Sequence, residues 1–513
     1  MKYDTKVILF ENLSNVIEKE KNKGKLVVQC HGTFDLIHPG HIVHFNEAKA
    51  LGDILVITIT AENYVNKGPG RPFFNDEMRT LSLSNLEVVD YVCLVPYPAA
   101  IEAIETVQPD IYCKGTEYEN PQVDVTGNFH DDIKTVEDVG GKVAYTGSVV
   151  FSSSRLLNSH FSNYSVGTKN LFQGLGSTYS LNKIREIVDE FSTLKVLVLG
   201  DIIFDKYSTV SVQGLTSKNR ILSSLFQNES LQLGGAFAIF RHIREFTHNV
   251  KLMSLVGKEP WVEKLLDDHL SVEENWVLKE PNFTTIVKHR FVEPISDGKE
   301  LSKLFSVNYL NEEYPGKAIS NKLTEKLKRE IKNFDLVLVS DFGHGVMSEE
   351  IRHIVQDESR FLAVNCQTNS NNFGFNIINR RYHRSDSFSL DQTEMSLACG
   401  KKQFDECDEL EKLRNSFGAS YGWFTRGGSE TIGIDRHGRP CFCDSLEKTV
   451  VDTVGAGDAF CAVASLAAVS KQNLDLATLI GQISGALAVR IIGNTSPVRK
   501  IDFMKSLEAI LKI

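Results

Sequence analysis

Long apolar runs, a cysteine framework and an excess of positive charge are all missing from this chain. No apolar stretch reaches the roughly 20 residues that a membrane-spanning helix needs, and residues 1–25 contain no signal-peptide core. We therefore expect a cytoplasmic protein without a membrane span. The nine cysteines show no metal-ligand spacing, which is typical of proteins in a reducing compartment. The only close pair, Cys441 and Cys443, is predicted to occupy alternate positions of a strand.

Charge and composition narrow the class of protein further. The net charge of −10 argues against a general nucleic-acid binder, so small-molecule partners are expected. A hydrophobic content of 42% and a charged content of 24% are typical of a packed soluble protein. The length of 513 residues predicts two or more domains.

The most informative segment is Val451–Phe460, with the sequence VDTVGAGDAF. A glycine-rich turn ends at Asp458, and the uninterrupted apolar run Ala459–Val469 predicts a helix. We expect the backbone amides of Gly455, Ala456 and Gly457 to bind an anion at the start of this helix, and we call them the anion cradle. A carboxylate beside the anion cradle can accept the proton of an alcohol that attacks a nucleoside triphosphate. We predict Asp458 to be a catalytic base; the alternative is a tight turn capped by an aspartate.

A second motif, HGTFDLIHPGH, occupies His31–His41. A buried strand is predicted before it and a helix after it, and Pro39 fits the start of that helix. His38 and His41 would then lie together at the helix amino terminus, where imidazoles and free amides can stabilise charge on an α-phosphate. We predict both histidines to be catalytic; a simple capping role is the alternative. The loop residues expected beside the nucleotide are Gly32, Thr33 and Phe34.

Two α/β blocks of different fold are predicted. Strands and helices alternate in both, which indicates parallel sheets that bind ligands at the carboxyl ends of their strands. Residues 205–233 and 283–310 are predicted to be strand-rich and could form a small lid. A stretch rich in Ser, Gly, Asn and Thr separates the blocks. The predicted boundaries are 1–160 for the first domain, 161–190 for a linker and 191–513 for the second domain.

Residues 25–158 resemble the cytidylyltransferase-like nucleotidyltransferases, most closely those of the bifunctional ADP-heptose synthesis proteins. The matching pieces are GTFDLIHPGH at 32–41, AKALGD at 48–53, Lys67 before GPGRP, EMR at 77–79, CKG at 113–115 and FSSSR at 151–155. The resemblance implies a Rossmann-like domain in which a sugar-1-phosphate attacks the α-phosphate of ATP or CTP, with Mg²⁺. The residues it implies as nucleotide or substrate ligands are Lys67, Arg79, Lys114, Ser152, Ser153 and Ser154. The alternative for the serines is an ordinary helix cap, and for Lys114 a solvated side chain.

Residues 194–513 resemble the ribokinase-like (PfkB) carbohydrate kinases. The matches are Gly200-Asp201 with Asp205, GGA at 234–236, Ser340-Asp341, TRG at 425–427 and DTVGAGD at 452–458. The resemblance implies an ATP-dependent sugar kinase with a small β lid, and a homo-oligomer, a dimer, formed through this domain. The sugar ligands that it implies are Asp201, Asp205, Gly234 and Gly235. Thr425 and Gly427 would line the nucleotide site, and Glu394 would bind Mg²⁺ through water.

Three positions of the second block depart from the family pattern: Ala238 and Asn365 replace the usual Asn and Asp, and Asp391 replaces the usual Asn. The heptose proteins also carry the kinase first, whereas here the nucleotidyltransferase comes first. The leading hypothesis is a bifunctional kinase and nucleotidyltransferase that makes a nucleotide-activated sugar for surface polysaccharide. The alternatives are a nucleotidyltransferase with a silent kinase-like domain, and a regulatory protein that senses its ligands without turnover.

Overall fold

The structure, a computed structural model, describes residues 5–65, 67–116, 128–147, 164–294, 301–311, 316–447 and 449–511. It divides into two compact units, Met1–Asn163 with Met504–Ile513, and Tyr164–Phe503. Both units are α/β folds built on largely parallel sheets, which confirms the predicted fold class. The predicted second domain, 191–513, differs from the structure at its end, because the residues from Met504 onward belong to the first unit.

The first unit contains a parallel sheet. Its strands among the described residues are β1 Val7–Ile8, β2 Val27–Gly32, β3 Ile54–Thr60, β4 Tyr91–Val95, β5 Ile111–Gly115 and β6 Lys142–Thr146. They lie in the order β1-β4-β3-β2-β5-β6, and every neighbouring pair is parallel. All of β3 is buried, as expected for a central strand covered on both faces. The order places the carboxyl end of β2 in the middle of the sheet, where its loop can bind a ligand.

Helices cover the faces of this sheet. Those of the first block are α1 Phe10–Lys21, α2 Pro39–Lys49, α3 Asp76–Ser84, α4 Ile101–Val107 and α5 Asn128–Asp138. Helix α2 begins at Pro39, the residue that the sequence analysis placed at its start. The reason is local: His38 is the N-cap, and Pro39 supplies a suitable backbone torsion for the first turn. Apolar side chains of the helices and strands, such as Phe45 and Leu83, form the buried core.

The second unit is built on a larger sheet. Its strands in the described part of the chain are β7 Val196–Gly200, β10 Val250–Val256, β11 Asn275–Lys279, β14 Leu336–Asp341, β15 Leu362–Cys366, β16 Ser387–Leu390, β17 Tyr421–Thr425, β18 Glu430–Asp435 and β19 Pro440–Asp444. The order is β11-β10-β7-β14-β15-β16-β17-β18-β19. The pairs from β11 to β17 are parallel, and the last two pairs are antiparallel.

A separate small sheet, which we call the lid, also belongs to this unit. Its strands are β8 Ile202–Leu215, β9 Leu222–Gly235, β12 Val287–Pro294 and β13 Leu301–Tyr309, in the order β13-β12-β8-β9. Strands β8 and β12 are parallel, and the outer pairs are antiparallel. The two predicted strand-rich segments are therefore confirmed, and they form one sheet together.

The predicted linker, 161–190, is helical over much of its described part. The helices of the second unit are α6 Val166–Thr178, α7 Leu181–Glu190, α8 Ala236–Arg244, α9 Pro260–His269, α10 Lys317–Glu330, α11 Glu349–Glu358, α12 Ile378–Arg381, α13 Gln392–Cys399, α14 Glu406–Phe417, α15 Ala456–Val469 and α16 Leu474–Ala488; α17, Lys500–Leu511, follows. Ser165 caps α6, and the hydroxyl oxygen of Thr168 accepts the backbone N–H of Asp444 on β19 at 2.8 Å. Leu171, Phe172 and Leu175 give α6 an apolar face, which is buried, and the boundaries 161–190 of the linker stay a prediction.

The close cysteine pair lies on a strand, as the sequence predicts. Cys441 and Cys443 are buried at alternate positions of β19, and none of the nine cysteines forms a disulfide. No described helix is long and apolar enough to cross a bilayer. The described residues also contain no group of three or more His, Cys, Asp or Glu side chains arranged to hold a metal ion.

Candidate active sites

The HPGH motif forms a compact site between β2 and α2. The His38 and His41 rings stack with their centroids 3.8 Å apart, and the His41 N–H donates to His38 Nδ1 at 3.3 Å. The edge of the Phe34 ring contacts His41 at a centroid distance of 5.2 Å. A Cβ at Gly32 would lie 3.0 Å from that ring. The motif residues therefore hold the two imidazoles in one orientation at a helix amino terminus.

The charge of His41 follows from its surroundings. Burial lowers its pKa to about 3, and the nearby His38 and Lys67 lower it further in the same direction. His41 is therefore neutral at physiological pH. It would contact a phosphate by donating a neutral N–H, while positive charge has to come from elsewhere.

Two lysines place positive charge near this site. Burial lowers the pKa of His31 to about 3, and the charges of Lys114 and Lys67 contribute to this shift. Both ammonium groups therefore act electrostatically on the end of β2, and their role as ligands stays a prediction. Lys114 also forms an ion pair with Asp132, with Nζ and Oδ2 3.3 Å apart. The predicted triphosphate ligands Ser152, Ser153 and Ser154 lie outside the described residues.

Arg79 has a structural position that differs from its predicted role. Its side chain is fully buried, and Nη1 donates to the carbonyls of Thr33 at 2.8 Å and Thr60 at 2.9 Å. It also pairs with Asp76. The guanidinium is thus directed at the carboxyl ends of β2 and β3, where unpaired carbonyls need donors. Arg79 ties the motif loop to the sheet instead of facing a phosphate.

Sequence analysis missed two supports of this site. His31 Nδ1 lies 3.0 Å from Thr58 Oγ1, and its Nε2 lies 3.2 Å from Thr60 Oγ1, so this neutral imidazole joins β2 to β3. Asp35 accepts the backbone N–H groups of Phe73 and Phe74 at 2.8 and 2.9 Å. The only sequence signal was their place inside the motif, because both roles depend on partners distant along the chain.

In the second unit, a cavity of about 410 Å³ opens beside the glycine-rich turn. It is lined by most of the residues predicted to bind nucleotide there, namely Thr425, Gly427, Gly455, Ala456 and Gly457, together with Asp458 and Glu394. Gly455 has a φ of 84° and caps α15, and a Cβ there would meet Asn494 Oδ1 at 2.3 Å. Only glycine fits that position, so the turn can present its amides at the start of the helix.

Asp458 lies at this cavity in the first turn of α15 and is largely buried. Its Oδ1 accepts hydrogen bonds from Asn365 Nδ2 at 3.0 Å and from Gln367 Nε2 at 2.8 Å. Burial raises the pKa of Asp458 to about 7, although the two amide donors favour the ionised form. A carboxylate with a pKa near the operating pH is suited to general-base catalysis.

Asp201, predicted to bind sugar hydroxyls, has its carboxylate engaged by the backbone. It is fully buried, and its carboxylate accepts the N–H groups of Phe342 at 3.0 Å, His344 at 3.2 Å and Val346 at 3.1 Å. These amides belong to the loop after β14, so Asp201 holds that loop in place. The predicted contact with sugar hydroxyls is corrected, because both carboxylate oxygens are used by the backbone.

We expect Asp201→Ala to lower the free energy of unfolding of this unit by at least about 3 kcal/mol, because three buried N–H groups would lose their acceptor. Urea unfolding measures the change, with Asp267→Ala on exposed α9 as the control. A variant with wild-type stability and only a weaker affinity for sugar would support the original prediction instead.

Asp205 and the two glycines lie close together in the lid, Asp205 on β8 and the glycines at the end of β9. Asp205 pairs with Arg290 of β12. A Cβ at Gly234 would meet Asp205 Oδ2 at 2.5 Å, and one at Gly235, with φ +59°, would meet the Asp201 carbonyl at 2.3 Å. The absence of a Cβ at both glycines therefore allows the end of β9 to lie close to the start of β8. Gly234 leaves room for the Asp205 carboxylate, and the contact of these residues with a sugar stays a prediction.

Glu394 and Lys288 complete the ionisable groups near Asp458. Glu394 forms a capping box with Asp391: each side chain accepts the other's backbone N–H, both at 2.8 Å. Asp391, which departs from the family pattern, thus serves as a helix cap. Lys288 of β12 was missed by sequence analysis. Burial lowers its pKa, and the carboxylates of Asp205 and Asp458 act against that shift.

Comparisons with known proteins agree with the two-block organisation. Residues 30–159 match the cytidylyltransferase-like family, and residues 195–501 match the pfkB family of carbohydrate kinases. The bifunctional protein HldE of Syntrophotalea carbinolica is 37% identical over 145 residues, which cover 28% of this chain and 28% of that protein. HldE of Aliarcobacter butzleri is 36% identical over 135 residues, 26% of this chain and 28% of that protein.

The alignment with these two relatives therefore spans 28% of their length. Ribokinase of Arabidopsis thaliana, solved with ribose and ATP, is 18% identical, with a TM-score of 0.46 over 62% of this chain and 99% of that one. The pfkB match extends over more than half of the 513 residues. The chain thus belongs to the pfkB family of carbohydrate kinases, and it carries a cytidylyltransferase-like domain ahead of the kinase domain.

Proposed function

We propose that the protein is a bifunctional enzyme: a kinase for a sugar or sugar phosphate, and a nucleotidyltransferase for a sugar-1-phosphate. The product would be a nucleotide-activated sugar similar to ADP-heptose, made in the cytoplasm for surface polysaccharide. The two catalytic domains would stand in the opposite order to the heptose proteins that the chain resembles. The observation that carries this proposal is the pairing of Asp458 with an intact anion cradle in a ligand-sized cavity.

The geometry of the second unit supports phosphoryl transfer from ATP. The acceptor hydroxyl would give its proton to Asp458 while its oxygen attacks the γ-phosphorus, and ADP would leave. The amides of the turn at 455–457 would stabilise the negative charge of the transferring group. Asp205 on lid strand β8 would bind the sugar, as its buried position beside Arg290 allows.

The geometry of the first unit supports attack on an α-phosphate. A sugar-1-phosphate oxygen would displace pyrophosphate from ATP or CTP in line, so the protein has only to place and neutralise the phosphates. His38 and the neutral His41 would donate hydrogen bonds at the start of α2. Lys67 and Lys114 would supply the positive charge, since both act electrostatically on His31 at the end of β2.

Mg²⁺ would accompany the nucleotides in both sites and offset the charge of the phosphates. It is usually held by one or two carboxylates together with substrate phosphates. The described residues contain no preformed cluster of side chains that could hold a metal ion. We therefore propose that the nucleotide phosphates supply most of the ligands of Mg²⁺. In the kinase cavity Glu394 would act through water, since its carboxylate already accepts the Asp391 N–H.

A dimer through the kinase domain is part of the proposal. The outer strands of the lid expose large apolar side chains, namely Leu222, Leu225, Phe226, Leu231, Phe305, Val307 and Tyr309. Exposed apolar side chains on edge strands are typical of protein–protein contacts, and here they occupy both edges of the lid. A second copy of the chain is the proposed partner, since it would offer the same edges.

We expect the double variant Leu225→Lys, Val307→Lys to shift the protein from dimer to monomer in sedimentation equilibrium, because each change puts a charge on the proposed contact. The control is Val272→Lys, an exposed apolar residue outside the lid. A monomeric wild-type protein, or a double variant that stays dimeric, would contradict the proposed interface.

The main alternative is a nucleotidyltransferase whose kinase-like domain binds ligands without turnover. The departures at Ala238, Asn365 and Asp391 motivate it. Phosphorylation assays over a broad panel of sugars and sugar phosphates separate the two readings, while pyrophosphate release over ATP, CTP and a panel of sugar-1-phosphates tests the first unit. ATP binding without phosphorylation of any acceptor would favour the alternative.

A further inference from the structure

Two amide side chains converge on the proposed catalytic base. Asn365 lies in β15, and Gln367 follows directly after the strand ends at Cys366. Because side chains alternate along an extended chain, residues 365 and 367 share one face, and Cys366 points into the core on the other. Both amides therefore approach Asp458 from the same direction, and both donate to the same oxygen, Oδ1.

The backbone beneath these amides is fixed. Asn365 is paired with Ser340 in the parallel register of β14 and β15. The Gln367 N–H donates to the Asp341 carbonyl at 2.9 Å, and the Gln367 carbonyl accepts from Asn376 Nδ2 at 3.1 Å. The amides are thus presented by rigid main chain and not by a free loop, which makes them suitable to orient another side chain.

The pattern of hydrogen bonds distinguishes the two oxygens of Asp458. Oδ1 has both of its lone-pair positions occupied by N–H donors. Oδ2 accepts no hydrogen bond from the part of the chain that the structure describes. An amide N–H₂ group cannot take up a proton, so Oδ2 is the only oxygen of this group left to act as a base.

The charged groups around Asp458 come from several elements. Asp205 on β8 opposes its ionisation, and Lys288 on β12 favours it. Glu394 on α13 and Cys461 on α15 also interact with its charge. Against this background the amides favour the ionised carboxylate without adding a charge. An aspartate at position 365 would instead place a second carboxylate within hydrogen-bonding distance, and like charges so close disfavour ionisation.

We infer that Asn365 and Gln367 are positioning residues for phosphoryl transfer: together they hold Asp458 with Oδ2 toward the acceptor hydroxyl. This inference rests on the proposed kinase function. In the step they support, the acceptor O–H bond breaks and its proton moves to Oδ2. The oxygen forms a bond to the γ-phosphorus, and the bond from that phosphorus to the β–γ bridging oxygen breaks. The departure at Asn365 is then an adaptation of the base, not a sign of lost activity.

The first test is kinetic. Asn365→Leu and Gln367→Leu should each lower kcat for acceptor phosphorylation roughly 10- to 100-fold, with little change in the KM for ATP, because a misplaced base slows only the chemical step. The acid limb of the pH profile should move to higher pH in both variants, since each loses a donor to the carboxylate. It should move most in Asn365→Asp, by about one to three units.

Gln367→Asn, which keeps an amide, should recover part of the lost kcat. Asn371→Leu is the matched control, because it lies exposed in the same loop without reaching Asp458, and it should behave as wild type. Unchanged pH profiles in the Asn365 and Gln367 variants, or an equal loss in Asn371→Leu, would overturn the inference.

A second measurement keeps the inference testable if the wild-type protein phosphorylates no acceptor. The infrared carbonyl band of a protonated carboxylic acid, taken as wild type minus Asp458→Asn, reports the titration of Asp458 without turnover. The midpoint should lie at a higher pH in Gln367→Leu and highest in Asn365→Asp. Equal midpoints in all proteins would refute the positioning role, whereas a shifted midpoint in an inactive enzyme would refute only the proposed kinase activity.

Discussion

Asp458→Asn is expected to lower ATP-dependent phosphorylation of the acceptor by ~10²–10⁴-fold, the usual effect of removing a positioned general base. The amide cannot accept the proton of the attacking hydroxyl. It is nearly the same size as the carboxylate, so the glycine turn and the start of α15 should remain folded. Initial rates of ADP formation with the best acceptor measure the loss, and equilibrium dialysis checks that ATP still binds.

The pH dependence of wild-type phosphorylation provides a second test of Asp458 as the base. Burial raises the pKa of Asp458 to about 7, and only the ionised form can act as a base. The rate should therefore fall as the pH drops below about 7. Asp475→Asn, in the first turn of α16, is the control variant and should keep wild-type rates. Full activity in Asp458→Asn would remove this residue from the mechanism.

His41→Ala should lower nucleotidyl transfer by ~10²-fold or more, because losing one donor to a developing oxyanion costs about 3 kcal/mol. The alanine also removes the ring that stacks on His38 and contacts Phe34. Release of pyrophosphate from ATP or CTP in the presence of a sugar-1-phosphate measures the effect. Phosphorylation by the second unit should be unchanged.

The low pKa of His41 also predicts the pH profile of nucleotidyl transfer. A histidine that is already neutral above pH 5 should contribute no titration near 6.5 to the pH profile of nucleotidyl transfer. The control is His130→Ala, an exposed histidine on α5. Unimpaired pyrophosphate release by His41→Ala would show that the HPGH motif is a helix cap and not a catalytic element.

The fold could be predicted from the sequence because its signals are local. Buried strands such as β3 and β14 are largely apolar runs in the sequence. A proline marks the start of α2, and a glycine-rich turn marks the start of α15. The assignment of the chain's end to the first unit could not be predicted. The sequence of a helix such as α17 indicates which side chains are buried. It does not indicate that the residues from Met504 onward belong to the first unit, because the second block precedes them in the chain.

The sites were predictable where one motif contains the whole arrangement, as at the turn that ends in Asp458. Arg79 and Asp201 were placed in the wrong roles because their partners are distant in sequence. Arg79 binds carbonyls at two strand ends, and Asp201 binds a loop more than 100 residues away. A usable signal existed for Asn365 and Gln367: two amides at alternate positions where a buried parallel strand ends.

The most direct test measures both reactions in wild type, Asp458→Asn and His41→Ala. Phosphorylation of sugars and sugar phosphates is followed by ADP formation, and nucleotidyl transfer to sugar-1-phosphates by pyrophosphate release. The bifunctional account predicts both activities in wild type, loss of only the first in Asp458→Asn, and loss of only the second in His41→Ala. Pyrophosphate release from a wild-type protein that phosphorylates no acceptor would contradict it.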